Sequence, residues 1–128
     1  MTTEQIQKIV DGIDTNYSLY DWNGTELFVR PIIDFTEFMK LVRDIVHRCT
    51  DKKTGTFVPE MLDFATKVMI LVSYTDIALP KRIEDQYTLI YGTTLYDDVL
   101  EVISKSQVEA VRSCIDLIAN NLIGSGHN

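Results

Sequence analysis

NYSLYDWNGTELFVRP, residues 16–31, holds two runs of aromatic and apolar residues on either side of Asn23-Gly24. Asn-Gly best tolerates the positive φ angles that a type I′ turn needs at both central positions, so the stretch predicts a β-hairpin with a two-residue loop. That loop length sets the register: Trp22 faces Thr25, Tyr20 faces Leu27 and Leu19 faces Phe28. Asp21 then opposes Glu26, a like-charge pair that must be solvated. Pro31 has no N–H for the ladder and stops the second strand. Side chains alternate along a strand, so one face carries Tyr20, Trp22, Leu27 and Val29, and the other Tyr17, Leu19 and Phe28. A ribbon lying on its own helices needs only one apolar face. Either further chain covers the second face or a partner does.

On the N-terminal side, Ile6, Ile9, Val10 and Ile13 follow the spacing of one helical face, which predicts a short helix over residues 3–13 that Gly12 and the following Asp-Thr-Asn bring to an end. On the C-terminal side, Asp34 with Glu37 three positions later predicts an acidic capping box. The helix it opens carries a broad stripe of Phe35, Phe38, Met39, Leu41, Val42, Ile45, Val46 and Cys49, opposite Lys40, Arg43, Asp44, His47 and Arg48. After the loop TDKKTGT, Pro59 is placed as the first residue of a helix that is apolar all round from Met61 to Tyr74, the mark of a central, buried element. Pro80 follows its end. A short helix is expected from Lys81 to Tyr91, stopped by Gly92, and another from Thr93 or Thr94 to Ser104. Ser106 with Glu109 predicts a second capping box and a last helix with the face Val108, Val111, Ile115, Ile118 and Leu122, ended by Gly124.

The fold class expected is therefore α+β, mainly α: a compact helical domain of about five to six helices with one N-terminal antiparallel hairpin. With 128 residues the chain has the size of one domain, here residues 1–124 followed by a flexible tail at 125–128. Hydrophobic residues at 45% and charged residues at 24% exclude a disordered chain. Twelve basic against nineteen acidic residues give a net charge of −7, the wrong sign for tracking phosphates or an anionic bilayer, so neither direct nucleic-acid binding nor membrane binding is expected. The N-terminus does not resemble a signal peptide, and the two isolated cysteines, Cys49 and Cys114, do not make a disulfide framework. A cytoplasmic protein is expected.

No catalytic signature is present. His47 and His127 are not grouped with other ligands in close pairs, so no metal is expected. The single glycines of NGTE and YGTT do not make a phosphate loop, so no cofactor is expected. Carboxylates at Glu84, Asp85, Asp97, Asp98 and Glu101 read more simply as helix-dipole complements on solvated faces than as acid–base pairs. Tyr17, Tyr20, Trp22 and Phe28 cluster within twelve positions, and such residues are frequent binding anchors. Tyr87, Tyr91 and Tyr96 read as core-closing groups.

WNGTELFVRP, an amphipathic helix, then TGTFVPEMLDFATKVMILVSYTDIALP and QYTLIYGT, in that order, resemble small proteins of the structural gene cassettes of tailed bacteriophages and prophages. The likeness covers about residues 17–120. Small helical proteins of such cassettes are often tail assembly chaperones, which coat the aggregation-prone tape-measure protein. The resemblance implies a non-enzymatic phage assembly or scaffolding factor in the host cytoplasm. Its partner would be a viral structural protein of the tail, with self-association into a homo-oligomer as a second use of the surface. The resemblance carries over no functional residues; the doubly apolar hairpin is what assigns partner contact to Tyr17, Leu19, Tyr20, Trp22, Leu27 and Phe28. The alternative is a small acidic anti-defence inhibitor that occupies a basic nucleic-acid-binding groove of a host protein, with Glu84, Asp85, Asp97, Asp98 and Glu101 as phosphate surrogates.

Overall fold

The computed structural model describes residues 1–125, which form six α-helices and one antiparallel hairpin. In chain order these are α1 (Thr3–Asp11), β1 (Ser18–Trp22), β2 (Thr25–Val29), α2 (Phe35–Arg48), α3 (Leu62–Tyr74), α4 (Ile83–Gly92), α5 (Leu95–Leu100) and α6 (Lys105–Ser125). The mainly helical α+β class expected from the sequence is the one observed. The expected flexible tail, 125–128, lies outside the described residues except for Ser125, the last residue of α6.

The hairpin has the expected register throughout, from Trp22 opposite Thr25 to Ser18 opposite Val29. Asn23 and Gly24 take φ angles of 51° and 85°, as a type I′ turn requires. Two strands alone are marginal in water, and β2 has a second set of partners. Val29 forms a bridge with Thr75, Arg30 N–H donates to Tyr74 O at 2.9 Å, and Asp76 N–H donates to Phe28 O at 3.1 Å. The outer edge of β2 is thereby tied to the chain leaving α3.

Helix α3 is the centre of the core. Phe64, Ala65, Val68, Met69, Ile70, Leu71 and Tyr74 are buried along it, and α2, α4 and α5 pack around it. Leu41, Val42 and Ile45 of α2, its C-cap Cys49, and Val108, Val111 and Ile115 of α6 complete the interior. Burial on this scale, at about 25 cal/mol per Å² of apolar surface, is the main source of stability. Pro59 opens a 3-10 turn over Pro59–Met61 that leads into α3, close to the position expected for it.

Several helix ends differ from the sequence expectation, each for a visible reason. Helix α1 stops at Asp11 rather than Ile13, with Gly12 as its C-cap. Helix α5 stops at Leu100 instead of Ser104: Glu101 and Val102 N–H turn back only three residues, to Asp98 O and Val99 O, and Ser104 N–H donates to Pro31 O at 2.8 Å. The last helix starts at Lys105, and its cap is Ser104, whose Oγ accepts from Gln107 N–H at 3.3 Å. The Ser106–Glu109 box is therefore not the start signal. Helix α6 also passes through Gly124 to Ser125, since one glycine in a helix costs only about 1 kcal/mol. At α2, Asp34 accepts from Glu37 N–H at 2.8 Å as expected, but the Glu37 side chain turns to Arg30 instead of back to the cap.

Gln107 and Arg30 hold the elements together through polar contacts in otherwise apolar surroundings. Gln107 Oε1 accepts from Ile33 N–H at 2.9 Å and from the Tyr74 hydroxyl at 2.6 Å, while Nε2 donates to Ile33 O at 2.9 Å. One amide thus ties α6 to the β2–α2 connection and to the end of α3. Arg30 donates to Ser73 O through Nε at 3.1 Å and Nη2 at 2.8 Å, and its guanidinium also pairs with Glu37. Gln107→Ala leaves the buried Ile33 amide groups and the Tyr74 hydroxyl without this partner, so it is expected to destabilise the protein by about 2–3 kcal/mol in urea unfolding. Combined with Tyr74→Phe, the loss should fall short of the sum by about 1 kcal/mol, because the two side chains share one bond.

Candidate protein-binding surface

The inward face of the hairpin is made of Tyr20, Trp22, Leu27 and Val29. Val29 is fully buried and the other three are half-buried against the core. Trp22 Nε1 also donates to Asp98 Oδ2 on α5 at 2.8 Å. These side chains fasten the hairpin to the helices, so Tyr20, Trp22 and Leu27 are not the free contact residues that the sequence suggested.

The outward face carries the remainder. Leu19 and Phe28 form a cross-strand pair, exposed by 57% and 46%, and Tyr17 continues the row at 44%. The Arg30 guanidinium lies 5.0 Å from the Tyr17 ring centre and supports it from the base. Asp21 and Glu26 oppose each other at the turn end of the same face and are exposed. The outer face is thus apolar at its base and acidic at its tip.

Helix α1 adds a second apolar surface. Its start is well made, with a capping box in which Thr2 and Gln5 exchange side-chain and backbone bonds. None of its residues is buried, and Ile6, Ile9, Val10 and Ile13 are each about half-exposed. The α2 stripe is also narrower than its pattern implies: Phe35 is 77% exposed and Met39 also faces solvent.

A third surface had no place in the sequence expectations. Met61, Phe64, Ile83, Tyr87 and Tyr91 line a groove of about 580 Å³ between the start of α3 and α4, with Glu60, Glu84 and Thr88 at its margin. Phe64 meets Tyr87 edge-on with ring centres 5.8 Å apart, and Tyr87 lies 4.8 Å from Tyr91. Of the three tyrosines expected to close the core, only Tyr96 is buried; Tyr87 and Tyr91 are exposed. The available signal was their spacing, because residues four apart share one face of a helix.

The polar groups beside this groove are committed to one another. The Tyr91 hydroxyl donates to Asp63 Oδ2 at 2.6 Å, and Lys67 pairs with the same oxygen at 3.1 Å. Lys67 also lies over the rings of Tyr91 and Tyr96, at 5.1 Å and 5.5 Å. Burial, and then the bond to Asp63, holds the Tyr91 hydroxyl well above its usual value. For Asp63 burial acts upward, but the bonds from Tyr91 and Lys67 outweigh it and the carboxyl is lowered. An ionised acceptor and a firmly protonated donor make a structural pair, not a base poised near neutrality. Burial likewise pushes the Cys49 thiol up.

The acidic residues named for the inhibitor alternative fall into two groups. Glu84 and Asp85 are exposed in the first turn of α4. Asp97, Asp98 and Glu101 belong to the next helix, α5, or to its C-cap. Asp98 accepts from Trp22 and from Thr94 Oγ1 at 2.7 Å, so its carboxylate is occupied. Among the described residues, no group of three or more His, Cys, Asp or Glu could hold a metal ion, and no helix is long and apolar enough to cross a membrane. His127 lies outside the described residues.

The two hairpin faces should separate in unfolding experiments. Leu27→Ala is expected to cost about 2–3 kcal/mol, toward the low end for a packed leucine because the side chain is half-buried. Leu19→Ser and Phe28→Ser should stay within about 0.5 kcal/mol of the unsubstituted protein. Equal losses on both faces would contradict the packing described. No family model, curated protein or solved structure matches the chain.

Proposed function

We propose that the protein is a non-enzymatic assembly or scaffolding factor that holds a structural protein on the outer face of its hairpin, in the manner of a tail assembly chaperone. One observation carries this reading: Leu19, Phe28 and Tyr17 remain exposed together on a ribbon whose other face is already packed on a complete core. Monomeric proteins rarely leave such groups contiguous without a use for them. Tyr17 and Phe28 provide large contact area with few rotatable bonds, and Asp21 and Glu26 at the tip favour a client with basic residues beside its apolar ones. A net charge of −7 keeps a protein with this surface from associating indiscriminately. The resemblance of residues 17–120 to phage structural-cassette proteins supplies the setting, in which the client is the tape-measure protein. The inhibitor alternative has less support, because Asp98, one of its five carboxylates, is engaged within the fold.

The test is co-expression with the tape-measure protein encoded in the same cassette. The unsubstituted chain should keep that client in the supernatant and co-purify with it. Leu19→Asp combined with Phe28→Asp should weaken the complex by about a hundredfold or more while the helical circular dichroism stays unchanged. Apolar docking should also survive a change from 0.1 to about 1 M salt, whereas carboxylate mimicry of phosphate would fade as the screening length shrinks. A client equally soluble without the chain, or a complex untouched by the double substitution, would refute the proposal.

A further inference from the structure

The hairpin has two edges, and the fold treats them differently. With a two-residue loop, Trp22–Thr25, Tyr20–Leu27 and Ser18–Val29 are the hydrogen-bonded pairs, while Asp21–Glu26 and Leu19–Phe28 turn their backbone groups away from the partner strand. On β2 the outward groups are bonded. Phe28 N–H donates to Asp76 Oδ1 at 2.9 Å, Phe28 O accepts from Asp76 N–H at 3.1 Å, and Arg30 N–H donates to Tyr74 O at 2.9 Å. The segment that leaves α3 thus closes the β2 edge. On β1 the same alternation sends the N–H and C=O of Leu19 and of Asp21 outward, and among the described residues none of these four groups is bonded. Both residues are exposed.

Open edges attract further strands, and proteins commonly blunt them with proline, lysine, a bulge or a covering element. From Tyr17 to Trp22 the chain has no proline and no basic residue, and the pairing with β2 runs without a bulge. Its one charge is Asp21, on the outer face.

We infer that β1 takes an extended segment of the client as a further antiparallel strand, so that the client is held by its backbone as well as by the apolar face. This rests on the hairpin being the client site, and it specifies how the client is bound and what sequence it carries there. Antiparallel addition is favoured because parallel pairing is slightly less stable per residue. Client residues opposite Asp21, Leu19 and Tyr17 put their side chains on the outer face. Asp21 already opposes Glu26, so its new neighbour is best basic; those beside Leu19 and Tyr17 are best apolar. From N- to C-terminus the segment therefore reads basic-x-apolar-x-apolar, and its apolar pair widens the exposed row of Tyr17, Leu19 and Phe28. A second copy of β1 fits less well, because residues 17–22 have no basic side chain to set against Asp21. An incoming helix would leave the four backbone groups unpaired, since its own are used internally.

The probe is a blocked peptide, acetyl-Thr-Lys-Thr-Val-Thr-Val-Thr-amide. In antiparallel addition the Lys and both Val direct their N–H groups to β1, and the Thr residues direct theirs away. N-methylation of the first Val should raise the dissociation constant about tenfold or more, and N-methylation of the Thr before it should change it by no more than about twofold. Hydrogen exchange at the Leu19 and Asp21 amides should slow about tenfold or more with saturating probe. Asp21→Lys relieves the repulsion by Glu26, so it should fold as before, bind the probe about fivefold more weakly, and prefer a probe with Glu in place of Lys. Equal affinity of the two N-methylated probes would place the segment on the face and not along the edge, which overturns the added strand and leaves the assembly role to the co-expression result. A probe that pairs along β1 in a chain that does not keep the tape-measure protein soluble would support the strand and refute the assembly role. Absence of binding at about 5 mM probe would overturn the inference. So would a full chain that light scattering finds dimeric, with the Leu19 and Asp21 amides protected before any probe is added.

Discussion

The C-terminal end of α3 is buried, and a buried helix end has carbonyls without partners in the helix. Much of the rest of the structure is arranged around that requirement. Leu71 O accepts from both the N–H and the hydroxyl of Thr75. Ser73 O accepts twice from Arg30, and Tyr74 O accepts from Arg30 N–H. Those donors come from the residue that follows β2, so satisfying the helix end places the hairpin. Leaving one such group unpaired would cost about 1–3 kcal/mol, a large part of the stability of a domain this size. Once Arg30 and Val29 are held there, alternation directs Tyr20, Trp22 and Leu27 onto the helices and turns Tyr17, Leu19 and Phe28 outward. The exposed row is thus a consequence of how the core closes.

The parts legible in the sequence are those with a local physical cause. Asn23-Gly24 admits one turn type and therefore one register, and the hairpin has it in every pair. An uninterrupted apolar run marked α3 as central, and it is buried on nearly all sides. Less legible were the polar side chains with distant partners. Glu37 and Gln107 each stand three residues after a cap, where a capping box would use them, yet Arg30 takes the first, and Ile33 and Tyr74 the second. Nothing near them in the chain specifies those partners, and the same holds for Asp98 and Trp22.

Apolar stripes show a related ambiguity. The pattern of α1 is as regular as that of α2, but one helix buries three residues and the other none. Periodicity says that a face is apolar; it does not say which molecule covers it. The sequence could therefore mark the hairpin as having one face too many, without identifying which face was free. The tyrosines follow the same logic. Tyr87 and Tyr91 share one side of α4, but whether that side meets the core depends on the angle at which α4 crosses α3. Here it leaves an open groove floored by Phe64.

The two surplus surfaces of the folded core lie at opposite ends of α3 and differ in shape. The hairpin face, beside Thr75, is a flat ribbon with an acidic tip; the groove, beside Met61, is concave and aromatic. A flat face can receive client segments of many shapes, while a groove of fixed width selects a helix with anchors at set intervals. Among the described α-helices, only α1 is amphipathic and buries none of its residues.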